Sequence, residues 1–198
     1  DVGCGYVRMG LAALDEAEHL VQSNDREMVE SVIDYLVDIG HRRIGIIEGP
    51  AGFRSAAERR EGFLAAMKRH GLEVPEGASA QGNYRFDSGM EAASTLLSGA
   101  SQLTAIFASN DEMAAGAYHA ARERGLKVPE QLSIVGFDNS QIAAHIWPPM
   151  TTVGWPIREM AKAAALKLID PGSEGALPST FPARLVARDS VAPPPEGS

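Results

Sequence analysis

Residues 105–153 read AIFASNDEMAAGAYHAARERGLKVPEQLSIVGFDNSQIAAHIWPPMTTV. Two short apolar runs, Ala105–Ala108 and Ser133–Phe137, have the length and composition of buried strands, and each ends on polar groups: Asn110-Asp111 after the first, Asp138-Asn139 after the second. A helix fits between them, and a Pro-Pro turn follows. In an open parallel sheet, residues just past the carboxyl ends of the strands face the crevice where ligands bind. Two strands that deliver Asn and Asp to one edge therefore predict a small-molecule site.

The same alternation extends outward in both directions. Asn24 or Asp25 can cap a helix whose apolar positions Val29, Val32, Ile33, Leu36 and Val37 follow helical spacing, and Gly40 stands where a left-handed cap belongs. Arg43–Ile47 reads as a buried strand running into the loop Gly49-Pro50-Ala51-Gly52. A helix carrying Phe63, Leu64 and Met67 stops at Gly71, and a weaker strand at 80–82 leads to Asn83-Tyr84-Arg85-Phe86 and a helix over 87–97. Helix 111–124, strand 133–137, a short irregular segment, strand 151–153, helix 156–168 and strand 181–186 complete the series. Strands separated by helices of this length imply crossover units and a parallel sheet, an α/β fold. The first 23 residues fit less well: 6–9 and 20–22 have strand character but no complete crossover unit around them.

Bulk properties exclude several classes. With 198 residues, 44% of them hydrophobic, the chain can bury one large or two small cores. A net charge of −8 and a pI near 5.1 give no basic field for nucleic acid, so any DNA contact must come from a part outside this sequence. The single Cys4 rules out an internal disulfide and fits a reducing, cytoplasmic compartment. No apolar run approaches the roughly 20 residues that span a bilayer, and the opening residues lack a signal pattern. The five histidines share no ligand-type spacing with each other or with Cys4, so no metal is expected. The Gly49–Gly52 loop lacks the Gly-Lys-Ser/Thr ending of a P-loop, and Gly3-Cys4-Gly5 fails a dinucleotide pattern at Arg8. No nucleophile elbow is present. Neither a cofactor nor an enzyme activity is expected.

The order of motifs closely resembles the core of LacI/GalR-type transcription regulators: a strand ending in Asn-Asp, a helix, Val-Pro, a strand ending in Gly-Phe-Asp, then Pro-Pro-x-Thr-Thr-Val. The likeness runs from about Asn24 to Ser190. It implies two Rossmann-like parallel-sheet subdomains of the periplasmic-binding-protein type I kind, with the chain crossing between them three times. On that resemblance the crossings fall near Gly40-His41, Val153-Gly154 and Pro178–Thr180. Residues 1–40 and 154–179 then form an incomplete N-terminal subdomain, 41–153 and 180–192 the C-terminal one, and 193–198 a loose tail. The helix-turn-helix head that reads DNA in such regulators is expected outside this sequence.

The resemblance also reassigns individual residues. Arg59, which alone would read as part of a solvated charged face (Glu58 to Glu61), matches an Arg three residues before Gly and four before an aromatic that points into the effector cleft. Arg60 stays a surface residue. Asp138 would otherwise be a turn or cap aspartate, and matches an effector-binding Asp. Asn110 matches a ligand contact but also suits a helix N-cap. Tyr84 and Phe86 follow a strand and could stack on a sugar ring or simply pack. Trp155 stands where relatives carry a polar residue, which favours an aromatic or apolar surface on the effector. Glu27 matches a cleft position, with helix-dipole stabilisation as the plainer account.

For partners, the small residues of helix 111–124, Ala114 and Ala117 among them, and the apolar Ile142, Ile146 and Trp147 are expected at a homodimer interface. The implied function is a cytoplasmic, ligand-responsive regulator that binds a small polar effector, a sugar, and reaches operator DNA through its absent head. A periplasmic sugar-binding protein shares the fold and is the alternative. A doubly wound enzyme would need a nucleophile, a cofactor loop or a metal set, none of which is found.

Overall fold

A computed structural model describes residues 5–10, 20–99, 102–169 and 178–195. Its centre is a four-stranded parallel sheet of β3 (Ile44–Glu48), β4 (Ser79–Gln81), β5 (Ala105–Ala108) and β6 (Ser133–Val135), in the order β4-β3-β5-β6. Four helices cover it: α1 (Asp25–Asp38) and α2 (Arg54–Arg69) on one face, α3 (Phe86–Ser98) and α4 (Asp111–Glu123) on the other. Strand alternation divides the core cleanly. Ile44, Ile46, Ala105, Phe107 and Val135 face α1 and α2, whereas Ile47, Ile106, Ala108 and Ile134 face α3 and α4. Helices α3 and α4 approach closely because Gly89 and Gly116 lie at their contact; a Cβ on Gly89 would sit 2.3 Å from the Met113 backbone.

A second parallel sheet, β1 (Arg8–Met9), β2 (Leu20–Ser23) and β8 (Thr180–Phe181), packs on α6 (Ile157–Ile169). Its small core joins Val21, Met160, Ala163 and Ala164. Lys167, buried beneath it, donates to the Leu20 carbonyl at 3.3 Å and to Ser179 Oγ at 3.1 Å. Between the sheets runs an antiparallel ribbon of β7 (Thr152–Gly154) and β9 (Arg184–Val186). Trp155, just past β7, touches the cores of both sheets. The parallel α/β architecture expected from the sequence is present. No described helix is long and apolar enough to cross a membrane.

Four local expectations need correction. Helix α1, assigned with residues 1–40 to the N-terminal subdomain, packs on α2 and the four-stranded sheet, because its stripe of Val29, Val32, Ile33 and Leu36 completes the core of that face. Thr180 and Phe181, assigned to the C-terminal subdomain with Phe181 opening a continuous strand 181–186, instead pair with Gln22 and Ser23; the strand breaks at Pro182, and only 184–186 join β7. The segment after β6 is not wholly irregular, since α5 (Gln141–His145) forms one short turn of helix.

The tail, finally, is not loose up to Pro195. His41, 1% exposed, holds the Ala192 carbonyl at 2.9 Å through Nε2 and Thr104 Oγ1 at 2.9 Å through Nδ1. A carbonyl can only accept, so Nε2 carries the proton. Pro194 covers Gly40, whose positive φ of 112° makes the expected left-handed cap. Residues 196–198 lie outside the described residues.

Candidate ligand-binding cleft

The carboxyl ends of β5, β6 and β7 converge on one guanidinium. Arg59 lies on the buried stripe of α2 with Ala56, Phe63, Ala66 and Met67, and is 3% exposed. Its Nε donates to Asp25 Oδ2 at 2.8 Å, and Nη1 donates to the Ser109 carbonyl at the end of β5. Nη2 stands 3.8 Å from Asp138 Oδ1. The guanidinium carbon lies 3.8 Å from the centre of the Phe137 ring, an arrangement that favours a cation on both electrostatic and packing grounds. Two of the five guanidinium N–H groups are thereby occupied, which leaves up to three for a ligand placed towards Asp138. Arg60, one residue on, is off the stripe and pairs at the surface with Glu48.

Asp138 is the other half of the cleft. It follows β6 in a turn where Asp138 and Asn139 both have positive φ, 120° and 52°. Burial pushes its carboxyl up to about 7, Arg59 pulls it back, and the neighbouring Asp111 and Asp25 add to the rise. Near neutral pH it can therefore both accept and donate hydrogen bonds. Trp155 closes one wall. Its ring meets Phe137 edge-on at 6.2 Å, the Arg59 guanidinium lies 5.7 Å from its centre, and its Nε1 is buried with no partner among the described residues. Ser109 Oγ is likewise buried and unpartnered.

The remaining sequence-derived candidates divide. Asn110 is at the cleft edge, but both ends of its side chain are engaged: Oδ1 accepts from Met113 N at 2.9 Å, capping α4, and Nδ2 donates to the Tyr84 carbonyl at 3.0 Å. Tyr84, with φ of 68°, lays its ring against Gly49, shares a hydrogen bond of 3.1 Å with Ser55 Oγ and meets the exposed Phe53 edge-on at 5.9 Å. Phe86 does not join them. The backbone turns at Arg85 from extended into helix, so Phe86 packs on the α3–α4 core and faces His119 at 6.0 Å. Glu27 is exposed on α1, whereas Asp25, two residues earlier, is 2% exposed and reaches Arg59.

The sequence carries a signal for the burial of Asp25. Asp25, Met28, Val29 and Val32 share one helix face, so a buried apolar stripe begins on an acid. The expected interface residues divide too. Ala114 and Ala117 are fully buried within the unit and leave no surface for a partner. Trp147 is 85% exposed beside Ile146, on a groove of about 850 Å³ that also includes Ala115, Tyr118 and His119.

This geometry, one braced arginine facing a carboxylate at the strand ends between two parallel sheets, can be set against known proteins. A family model described as periplasmic binding protein-like domain matches residues 33–191. The chain belongs to that family. Its relatives there are LacI-type regulators, as the motif order implied. It is 38% identical over 154 residues to the probable HTH-type transcriptional repressor ExuR of Bacillus subtilis (78% of this chain, 46% of that protein). It is 37% identical over 163 residues to the ribose operon repressor of Escherichia coli (82% and 49%).

Among solved structures, a sugar-binding transcriptional regulator of the LacI family from Escherichia coli, complexed with phosphate, superposes with a TM-score of 0.87. That match has 30% identity and covers 95% of this chain and 68% of that one. The chain thus spans about half the length of the curated relatives it matches.

Proposed function

We propose that this chain is the effector-binding and dimerisation core of a ligand-responsive DNA-binding transcription regulator. The observation that carries the reading is Arg59, a buried guanidinium held by Asp25 and the Ser109 carbonyl and aimed across a gap at Asp138. Such a pair suits vicinal hydroxyls: the guanidinium donates to the ligand oxygens while the carboxyl accepts from them. The names of the relatives, a ribose operon repressor and a sugar-binding regulator, favour a sugar as the effector. Trp155 supplies a flat wall, and Tyr84 stands at the rim. Asn110 serves first as a cap, so its contribution is to fix Tyr84 rather than to contact the ligand first.

The two units are proposed as residues 5–23 with 155–181, and 24–154 with 182–195, joined through the β7–β9 ribbon. A ligand that binds one arrangement of these units better than the other shifts the population towards it. That shift would be read by a helix-turn-helix head outside this chain, in the cytoplasm. A second copy of the chain is the proposed partner for the Trp147 groove, since a solvated indole beside an apolar groove is poorly stabilised alone. Two copies would bring two heads to two half-sites.

Arg59→Ala tests the reading. Calorimetry against D-ribose, hexoses and hexuronates should show a ligand for the native protein and none for the variant, with the sedimentation coefficient of both unchanged. Unchanged affinity in the variant rejects the site.

A further inference from the structure

The turn that presents Asp138 is held from several sides by residues outside the proposed ligand set. Two consecutive non-glycine residues with positive φ, Asp138 and Asn139, persist only where the surroundings over-determine them. Asp111 does much of this. It is 1% exposed in the first turn of α4, a helix already capped by Asn110, so the cap does not require it. Asp111 Oδ2 accepts from Ser140 N at 2.7 Å and from Ser140 Oγ at 2.9 Å, and Oδ1 accepts from Thr152 Oγ1 at 2.5 Å. Thr152 Oγ1 in turn accepts from Asn139 N at 3.3 Å.

On the far side Arg188 donates to Asn139 Oδ1 at 2.6 Å and to the Met150 carbonyl at 2.7 Å. The packing is tight enough that a Cβ on Gly136 would lie 2.3 Å from Asp111 Oδ1. The Ser140 N–H can only donate and Thr152 Oγ1 already accepts from Asn139 N, so an acceptor on both oxygens of Asp111 suits them. Thr152 belongs to β7 and Arg188 follows β9, so the same contacts tie the turn to both strands of the ribbon leading to the other sheet.

We propose that Asp111 is a positioning residue: through Ser140 and Thr152 it holds the Asp138–Asn139 turn in its strained form, aims Asp138 at the cleft, and couples that turn to the β7–β9 ribbon. The proposal rests on the effector reading only in taking Asp138 as ligand-facing. Its test therefore uses no effector, and its failure is separate from a failure of Arg59→Ala.

In the full-length protein, hydrogen exchange by mass spectrometry and the NMR titration of the Asp138 carboxyl would be followed in Asp111→Asn, Ser140→Ala and Thr152→Val. Asp111→Asn should raise exchange about ten-fold or more in 137–141 and 151–154 while leaving α1 and α2 within about two-fold. It should also lower the Asp138 midpoint, because the turn opens to water and a neighbouring charge is lost. Thr152→Val keeps the Asp111 charge, so a lower midpoint there reads the position of the turn alone. A uniform rise across the four-stranded sheet would make Asp111 an ordinary core residue and overturn the proposal, as would unchanged exchange in 137–141. If Asp111→Asn does not fold, Ser140→Ala and Thr152→Val decide, and no local rise in either rejects it.

Discussion

Asp25→Asn is the sharpest perturbation of the cleft. The carboxylate sits 2.8 Å from Arg59 Nε, and the two side chains are 1% and 4% exposed, so neither charge has water to fall back on. Removing one partner of a buried pair costs about 3–5 kcal/mol because the other charge is left uncompensated. Here the Ser109 carbonyl and, at 3.8 Å, Asp138 still face the guanidinium, which puts the expected loss at the low end, about 3 kcal/mol. For a chain of this size, 1 kcal/mol lowers Tm by about 2–4 °C, so the variant should melt about 6–12 °C earlier. Urea unfolding followed by circular dichroism measures the difference directly.

The double variant Asp25→Leu/Arg59→Met should recover most of the stability, because a matched apolar pair replaces the ion pair, while ligand binding stays lost. A loss below about 1 kcal/mol in Asp25→Asn would refute the reasoning, since an exposed pair is worth that much or less. So would a double variant less stable than the single one.

Other consequences are equally direct. Because Asp138 titrates near 7 in the fold and near 3.8 unfolded, the stability its protonated form contributes is present below pH 4 and lost as pH rises through 7. The urea midpoint of native protein minus that of Asp138→Asn should therefore fall between pH 4 and 8; with the side chain 40% exposed, water moderates the size. His41 acts in the opposite sense: burial holds its pKa below 6.5, so stability is lost as pH falls from 6.5 through that lowered value, and His41→Gln should flatten this acid limb. Gly116→Ala places a Cβ 2.3 Å from the Phe86 carbonyl oxygen, and backbone cannot step aside cheaply. Thermal denaturation should show a loss of at least about 1–3 kcal/mol, the usual range for overpacking. Trp147→Glu should weaken self-association by about 30-fold, as for a hot spot of about 2 kcal/mol, measured by analytical ultracentrifugation.

Much of this was legible in the residues. Short apolar runs predicted the strands of the central sheet, whereas Arg59 was told from Arg60 by the family resemblance; in the fold only Arg59 continues the stripe Ala56, Phe63, Met67. The Asn-Asp and Gly-Phe-Asp strand ends pointed to the edge of the sheet where Arg59 faces Asp138. What escaped depended on contacts distant in sequence. The stripe of α1 marks Asp25 as buried, but its partner Arg59 lies on α2, 34 residues away. Phe86 diverges from Tyr84 because the helix starts between them, and boundaries are weakly encoded. The sheet that α1 packs on was not legible, because helical periodicity says which face of α1 is buried, not what buries it. Asp111 looked like half of a motif, and its donors come from segments 29 and 41 residues away.

The two tryptophans occupy opposite environments, Trp147 almost wholly in water and Trp155 wedged between two cores with its indole nitrogen sequestered. Their emission should separate in wavelength, the solvated indole to the red and the wedged one to the blue. The molecule thus carries two optical gauges without any label. In Trp147→Phe the remaining fluorescence reports only what happens in the gap between the units. In Trp155→Phe it reports only on the exposed groove around Trp147, the proposed contact between copies.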